Sequence, residues 1–282
     1  MSVKKEPSGR RSVQVEVEVP GTPEEVWRSI ATGPGISSWF VPTTTDEREG
    51  GQQVCSFGPG MDSPSKITVW QPPKRFVAEG QMGDPSSPTV ATEWTVEARA
   101  GGVCLVRVVH SLFASTDDWD NQFTGVEQGW PTYFRILRMY LERYKGMPCS
   151  TMQFVGFSSD AEAKAWEKAG GELGLLKVSE GQQWSTPSGL PEMAGVVDSL
   201  GKDTHKNTVL LRLDSPAPGS AYVGAFSCGG MIMVCMSIYL YGDKAKAAVE
   251  RWRAKPAGTA KGQLNPLLAE KRGGAPAEAG AA

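Results

Sequence analysis

The sequence predicts an α+β fold in which antiparallel strands precede a long closing helix, built as two tandem copies. Three observations carry this. A period-2 strand runs into a capped helix near the start, and one long amphipathic stripe closes the first half. The spacing of that start, and of a Gly-Gly hairpin, recurs in the second half.

The chain has 282 residues, which at about 150 residues per domain suggests two cores. Its 29 Lys+Arg against 31 Asp+Glu give a formal net charge of −2, which excludes the basic surface of a dedicated nucleic-acid binder. The opening MSVKKEPSGRRS has no apolar run of the secretory kind. Cys55, Cys104, Cys149, Cys228 and Cys235 are scattered and odd in number, so reduced thiols in a cytoplasmic protein are expected. No CxxC pair occurs and His110 and His205 are the only histidines, so neither a metal nor a cofactor is expected.

Val13, Val15, Val17 and Val19 alternate with Gln14, Glu16 and Glu18, a strand with one buried face ended by Pro20-Gly21. Thr22, Pro23 and Glu25 form a capping box and helix start, with Val26, Trp27 and Ile30 as the apolar stripe. Gly33-Pro34-Gly35 stops that helix, and a further turn of helix presents Trp39-Phe40. Strands are predicted around Gln52–Phe57, Lys66–Trp70 and Arg75–Gly80. Thr89–Arg99 and Val103–Phe113 make a hairpin about Ala100-Gly101-Gly102. From Phe123 to Tyr144, Val126, Trp130, Phe134, Leu137, Leu141 and Tyr144 form a helical stripe, with a kink or late start expected at Pro131.

In the second half, Met152–Phe157 reads as a strand and Ser159 with Glu162 as a second capping box before Trp166. Val13 to Met152 and Trp27 to Trp166 are both offsets of 139, while Gly101–Ser115 aligns on Gly229–Asp243 at an offset of 128. Ala194–Leu200 and Asn207–Asp214 supply a further hairpin, and Asp243 caps a short closing helix through Val249 and Trp252. Ser215 to Gly242 holds no charge, but Gly229-Gly230 splits its apolar part, which favours a hairpin over a membrane span. The domains expected are 12–147, a complete copy, and 148–256, a shortened one, followed by a disordered Ala/Gly/Pro-rich tail over 257–282.

The residues VEVEVPGTPEEVWRSI, SSWF, TEWTVEARAGGVCLVRVVHSLF and GW…YFRILRMYLE, in that order, resemble the START-like (SRPBCC) superfamily. The group in question is the one named after the C-terminal domain of the activator of heat-shock protein ATPase. The second half resembles a degenerate copy. This resemblance implies a helix-grip fold, with a curved antiparallel sheet around the long C-terminal helix and a cavity between them. Its members include apolar-ligand binders, cyclase relatives, stress proteins and the chaperone activator, and they share no catalytic set, so the fold alone does not fix the function.

Site candidates follow from parity and composition. Cys104, Val106, Val108, His110 and Leu112 share the inward face of their strand, and Trp94 and Val96 that of its neighbour. Trp39, Phe40, Trp70, Trp94, Trp130, Tyr133 and Phe134 supply the aromatic wall that an apolar pocket needs. Trp130 and Phe134 lie on the buried stripe, which favours packing, whereas Trp39-Phe40 is the better ligand candidate. His110 is the one weak catalytic candidate, and a satisfied core histidine is the plainer reading. Asp117, Asp118 and Asp120 read as helix capping rather than a calcium loop. No GxxxxGK[ST], GxGxxG or GxSxG occurs.

The expected function is non-catalytic binding of a small apolar or aromatic ligand in the first copy. One alternative is a protein-interaction module with a chaperone contact. Another is a cyclase/dehydratase-like enzyme that pairs His110 with Tyr133 or a carboxylate of Asp117–Asp120. The expected partners are a small hydrophobic ligand and, as alternatives, a second copy of the chain or a chaperone, with no nucleic acid and no membrane.

Overall fold

The computed structural model describes residues 4–5, 9–58, 60–81, 88–113, 120–202, 206–228 and 231–254. The expected tail over 257–282, the Gly229-Gly230 turn, Asp117 and Asp118 lie outside the described residues. The chain divides into two compact units, Met1–Thr151 with Tyr239–Ala245, and Met152–Ile238 with Lys246–Ala282.

In the first unit the elements are β1 (Lys4–Lys5), β2 (Arg10–Pro20), α1 (Pro23–Ala31), α2 (Gly33–Ser37), β3 (Thr43–Thr45) and β4 (Gln52–Ser56). They continue with β5 (Asp62–Gln71), β6 (Arg75–Gln81), β7 (Thr89–Arg99), β8 (Val103–Phe113) and α3 (Asp120–Arg143). The Thr22 capping box forms as expected: its hydroxyl accepts from Glu25 N and the Glu25 carboxylate accepts from Thr22 N, which satisfies two N-terminal donors at once. The β7–β8 hairpin pairs Arg99 with Val103 across Gly101 (φ 80°) and Gly102 (φ 72°), a left-handed path that glycine takes without strain. β2 then pairs with β8 along its whole length, from Arg10↔Phe113 to Pro20↔Val103. Helix α3 runs through Pro131 without a late start. It buries Trp130, Phe134, Leu137, Leu141 and Tyr144 of the expected stripe, and Ile136, Met139 and Tyr140 beside them.

The expected curved sheet is not what forms. The first sheet is an antiparallel layer of eight strands in the order β1-β2-β8-β7-β6-β5-β4-β3, with β1 and β3 at its ends, and among the described residues neither sheet curls or closes. Bulges are what bend a sheet toward closure. Here β2–β8, β7–β8 and β6–β7 pair without interruption, and the register shift among the described pairs of this sheet, between Ile67 and Val69, falls in the β5–β6 pair.

The second unit is built from β9 (Cys149–Ser158), α4 (Glu162–Glu172), β10 (Gln183–Ser185), β11 (Ala194–Leu200), β12 (Thr208–Ser215), β13 (Gly219–Cys228), β14 (Met231–Tyr241) and α5 (Lys244–Arg253). Its sheet has six strands in the order β10-β11-β12-β13-β14-β9. Both sheets therefore set the opening strand beside the last one and step back through the others in turn, so the topology itself is repeated. The hairpin alignment is reproduced residue for residue: β8 at 103–113 and β14 at 231–241 differ by 128 at both ends. The closing helix is cut from 24 residues in α3 to 10 in α5. From Val234 to Tyr241 both faces of β14 are buried, as expected of a strand covered on two sides.

The second capping box does not form. Helix α4 starts after Ala161 with no side-chain cap, so Glu162 is its first residue rather than its third, and the Glu162 carboxylate accepts from the Asn207 side chain at 2.7 Å. Among the described residues, no helix is long and apolar enough to cross a membrane. The two helix starts predict a contrast. Thr22→Ala, which removes a cap, is expected to cost about 1 kcal/mol in urea unfolding, while exposed Ser159→Ala changes stability by less than about 0.5 kcal/mol. Equal losses in the two variants would contradict this account of the helix starts.

Candidate functional site

Helices α1 and α2 are folded back on each other at Gly35, where a Cβ would stand 1.9 Å from the Arg28 carbonyl oxygen, so only glycine fits. The fold-back delivers Trp39 to the interior, where its indole N–H donates to Ser29 O at 2.8 Å. Trp39 is fully buried, so it is a wall of the core and not a residue at a mouth.

The eight aromatic and histidine candidates come together in one continuous network. Trp70 meets Trp27 at 5.0 Å and Phe76 at 5.7 Å, and Phe76 stacks on Trp94 at 6.3 Å. Trp94 then touches Trp39 at 6.2 Å, Trp130 at 5.1 Å and Phe134 at 6.1 Å. Phe40 stacks on Trp130 at 5.2 Å and meets Tyr133 edge-on at 4.6 Å. The network is sealed in its middle and more exposed at its ends. Trp39, Trp94, Trp130 and Phe134 are buried, Phe40, Tyr133 and His110 are half-buried, and Phe57, 5.8 Å from Phe40, is 37% exposed. Trp70, at the opposite end, is also half-buried.

His110 sits where β8 faces α3. Trp130 Nε1–H donates to His110 Nε2 at 2.8 Å, the two rings stack at 5.6 Å, and His110 Nδ1 lies 3.0 Å from Thr92 Oγ1. An indole N–H can only donate, so Nε2 carries a lone pair and the proton sits on Nδ1, which donates to Thr92. The imidazole is held neutral: burial lowers its pKa from 6.5 to about 4. Cys104, Val106, Val108 and Leu112 on the face of His110 are buried, and of the opposite face Leu105 is buried while Val103, Arg107, Val109 and Ser111 are not.

Thr92, Trp27, Phe76 and Phe57 are members of this cluster that the sequence argument did not single out. Thr92 was within reach of it. The turn at Ala100–Gly102 fixes the register so that Thr92 pairs with His110, and the polar partner there is a hydroxyl rather than a carboxylate.

Other chemistry finds little footing. The thiols of Cys55, Cys104 and Cys149 are pushed up by burial, Cys149 to about 12, which disfavours thiolate nucleophiles. Among the described residues, no three His, Cys, Asp or Glu side chains are grouped to hold a metal. An open hollow of about 490 Å³ on the outer half of the first sheet is lined by Gly50, Gln52, Ser65, Lys66, Glu79 and Thr89 among others, and by none of the eight candidates.

Residues 20–142 match the sequence profile of the family described as "Activator of Hsp90 ATPase homolog 1-like protein". No curated protein sequence matches the chain. Among solved structures, the chain is similar to CalU16 from Micromonospora echinospora at 21% identity and a TM-score of 0.40, over 50% of this chain and 83% of that one. It is similar to the Aha1 dimer from Colwellia psychrerythraea at 19% identity and a TM-score of 0.40, over 48% and 98%. It is also similar to the di-domain ARO/CYC BexL of the BE-7585A biosynthetic pathway at 14% identity and a TM-score of 0.44, over 88% and 89%. The matched profile spans α1 to α3, so what the chain shares with the activator of Hsp90 ATPase homolog 1-like family lies in its first unit.

Proposed function

We propose that the first unit binds a small apolar or aromatic molecule, without catalysis, at the half-exposed end of the aromatic network around Phe40, Tyr133 and His110. The gradient of exposure carries this reading: sealed tryptophans form the floor, and the rings above them keep part of their faces in water. Covering such a face returns about 25 cal/mol per Å² of apolar surface, so a flat ligand is favoured there. Polar selectivity would come from Thr92, which accepts from His110 and keeps its own hydroxyl hydrogen, and from the Tyr133 phenol.

The histidine argues for binding over reaction. A general base works best with a pKa near the working pH, and one near 4 with both ring nitrogens engaged is poorly suited at neutrality. The interaction-module alternative has less behind it. The exposed large apolar side chains described, Phe57, Met147, Phe157 and Leu176, stand singly along the chain, which is ordinary for a protein surface. A cytoplasmic setting and self-association belong to the same proposal.

Titrating the full chain with the uncharged probe N-phenylnaphthylamine, followed by probe emission and tryptophan quenching, is expected to give saturable binding. Phe40→Ala and Tyr133→Ala should each weaken it by about tenfold, the worth of one covering ring. Affinity unchanged in both variants would move the ligand away from this end of the network.

The pH dependence of stability has a definite sign. His110 is neutral in the folded chain down to about 4, against about 6.5 once unfolded, so between these values the unfolded chain binds the extra proton. The stabilisation is fully present above about pH 6.5 and is lost as pH falls toward about 4. Thermal melts across that window should show the wild type losing more stability than His110→Gln, which keeps an acceptor for Trp130 but does not titrate. Parallel curves would contradict the buried neutral imidazole.

A further inference from the structure

Two tyrosine hydroxyls reach the Trp39-Phe40 segment from far along the chain. On β14, Tyr239 Oη–H donates to the Phe40 carbonyl at 2.5 Å and Tyr241 Oη–H to the Ser38 carbonyl at 2.7 Å, over sequence separations of 199 and 203. Tyr239–Ala245 belongs to the first compact unit, although β14 is hydrogen-bonded in the six-stranded sheet. Residues two apart on a strand share a face, and the receiving carbonyls are also two apart, so the hydroxyls meet them as two rungs.

Ser38 and Phe40 lie just past α2, where carbonyls have no intrahelical donor left. Both phenols are sealed, at 1% exposure each, and Tyr241 is further fixed by stacking on Tyr144 at 4.3 Å and by Tyr140 at 5.7 Å. Within the second half this strand keeps full measure while the closing helix does not. β14 has the 11 residues of its counterpart β8, while the closing helix has lost more than half its length.

We infer that Tyr239 is a positioning residue of the aromatic site: its hydroxyl fixes the Phe40 backbone and so the angle at which the Phe40 ring stands between Trp130 and Tyr133. The aromatic site is thereby completed by the end of β14, which lies within the first compact unit. This deepens the binding reading and rests on it.

The test is a double-mutant cycle on the full chain, read as N-phenylnaphthylamine affinity well below the melting temperature. Tyr239→Phe, which removes one oxygen, is expected to weaken binding by about fivefold, the worth of one hydrogen bond. On a Phe40→Leu background the same change should have an effect of less than about twofold, because its action passes through Phe40. An equal loss on both backgrounds, or no loss on either, would overturn the positioning role. The carbonyl-carbon NMR shift of Phe40, read without ligand, keeps the two claims apart. A wild type that takes up no probe overturns the binding reading, whereas a Phe40 shift unmoved by Tyr239→Phe overturns the clamp itself.

Discussion

The hydrogen bond from the Trp130 indole N–H to His110 Nε2 ties the long helix to the sheet and sets the chemistry of the groups around it. Because the indole can only donate, it dictates the histidine tautomer, and the tautomer dictates that Thr92 receives the other ring proton. Protonating the imidazole would put two donors face to face, which agrees with the direction in which its pKa is already shifted. Here a histidine that in another setting would be a base serves as a polar rivet within an aromatic core.

Around that rivet the site is a matter of graded burial. Gly35 lets α2 close on α1, Trp39 is drawn under it, and the neighbouring Phe40 is left half-buried on top. One backbone close approach thus divides two adjacent aromatic residues into a floor and a lip. The same segment is held from behind by Tyr239 and Tyr241, so the lip is framed by residues at opposite ends of the sequence.

Much of this was legible in the sequence because it is written in short-range patterns. Period-2 valines, the Thr22 box, the Gly-Gly turns and the α3 stripe depend on residues a few positions apart. The repeat was legible as well, since a common offset needs no knowledge of packing. The Ser159–Glu162 box failed because α4 starts at Glu162 itself, whose carboxylate is bonded to the distant Asn207, and no local pattern shows that contact. The curved sheet failed because the described pairs of the first sheet carry a single register shift, and a bulge leaves little trace in composition. Trp39 misled for a related reason. Its place on a loop-side turn is local, but the carbonyl that draws it inward belongs to Ser29 on another helix.

Imidazole nitrogen NMR shifts of His110 in the full chain test the central claim most directly. The account predicts a protonated Nδ1 and a lone-pair Nε2 at neutral pH, with no titration until about pH 4. A ring that titrates near its ordinary value of about 6.5, or that carries its proton on Nε2, would contradict it.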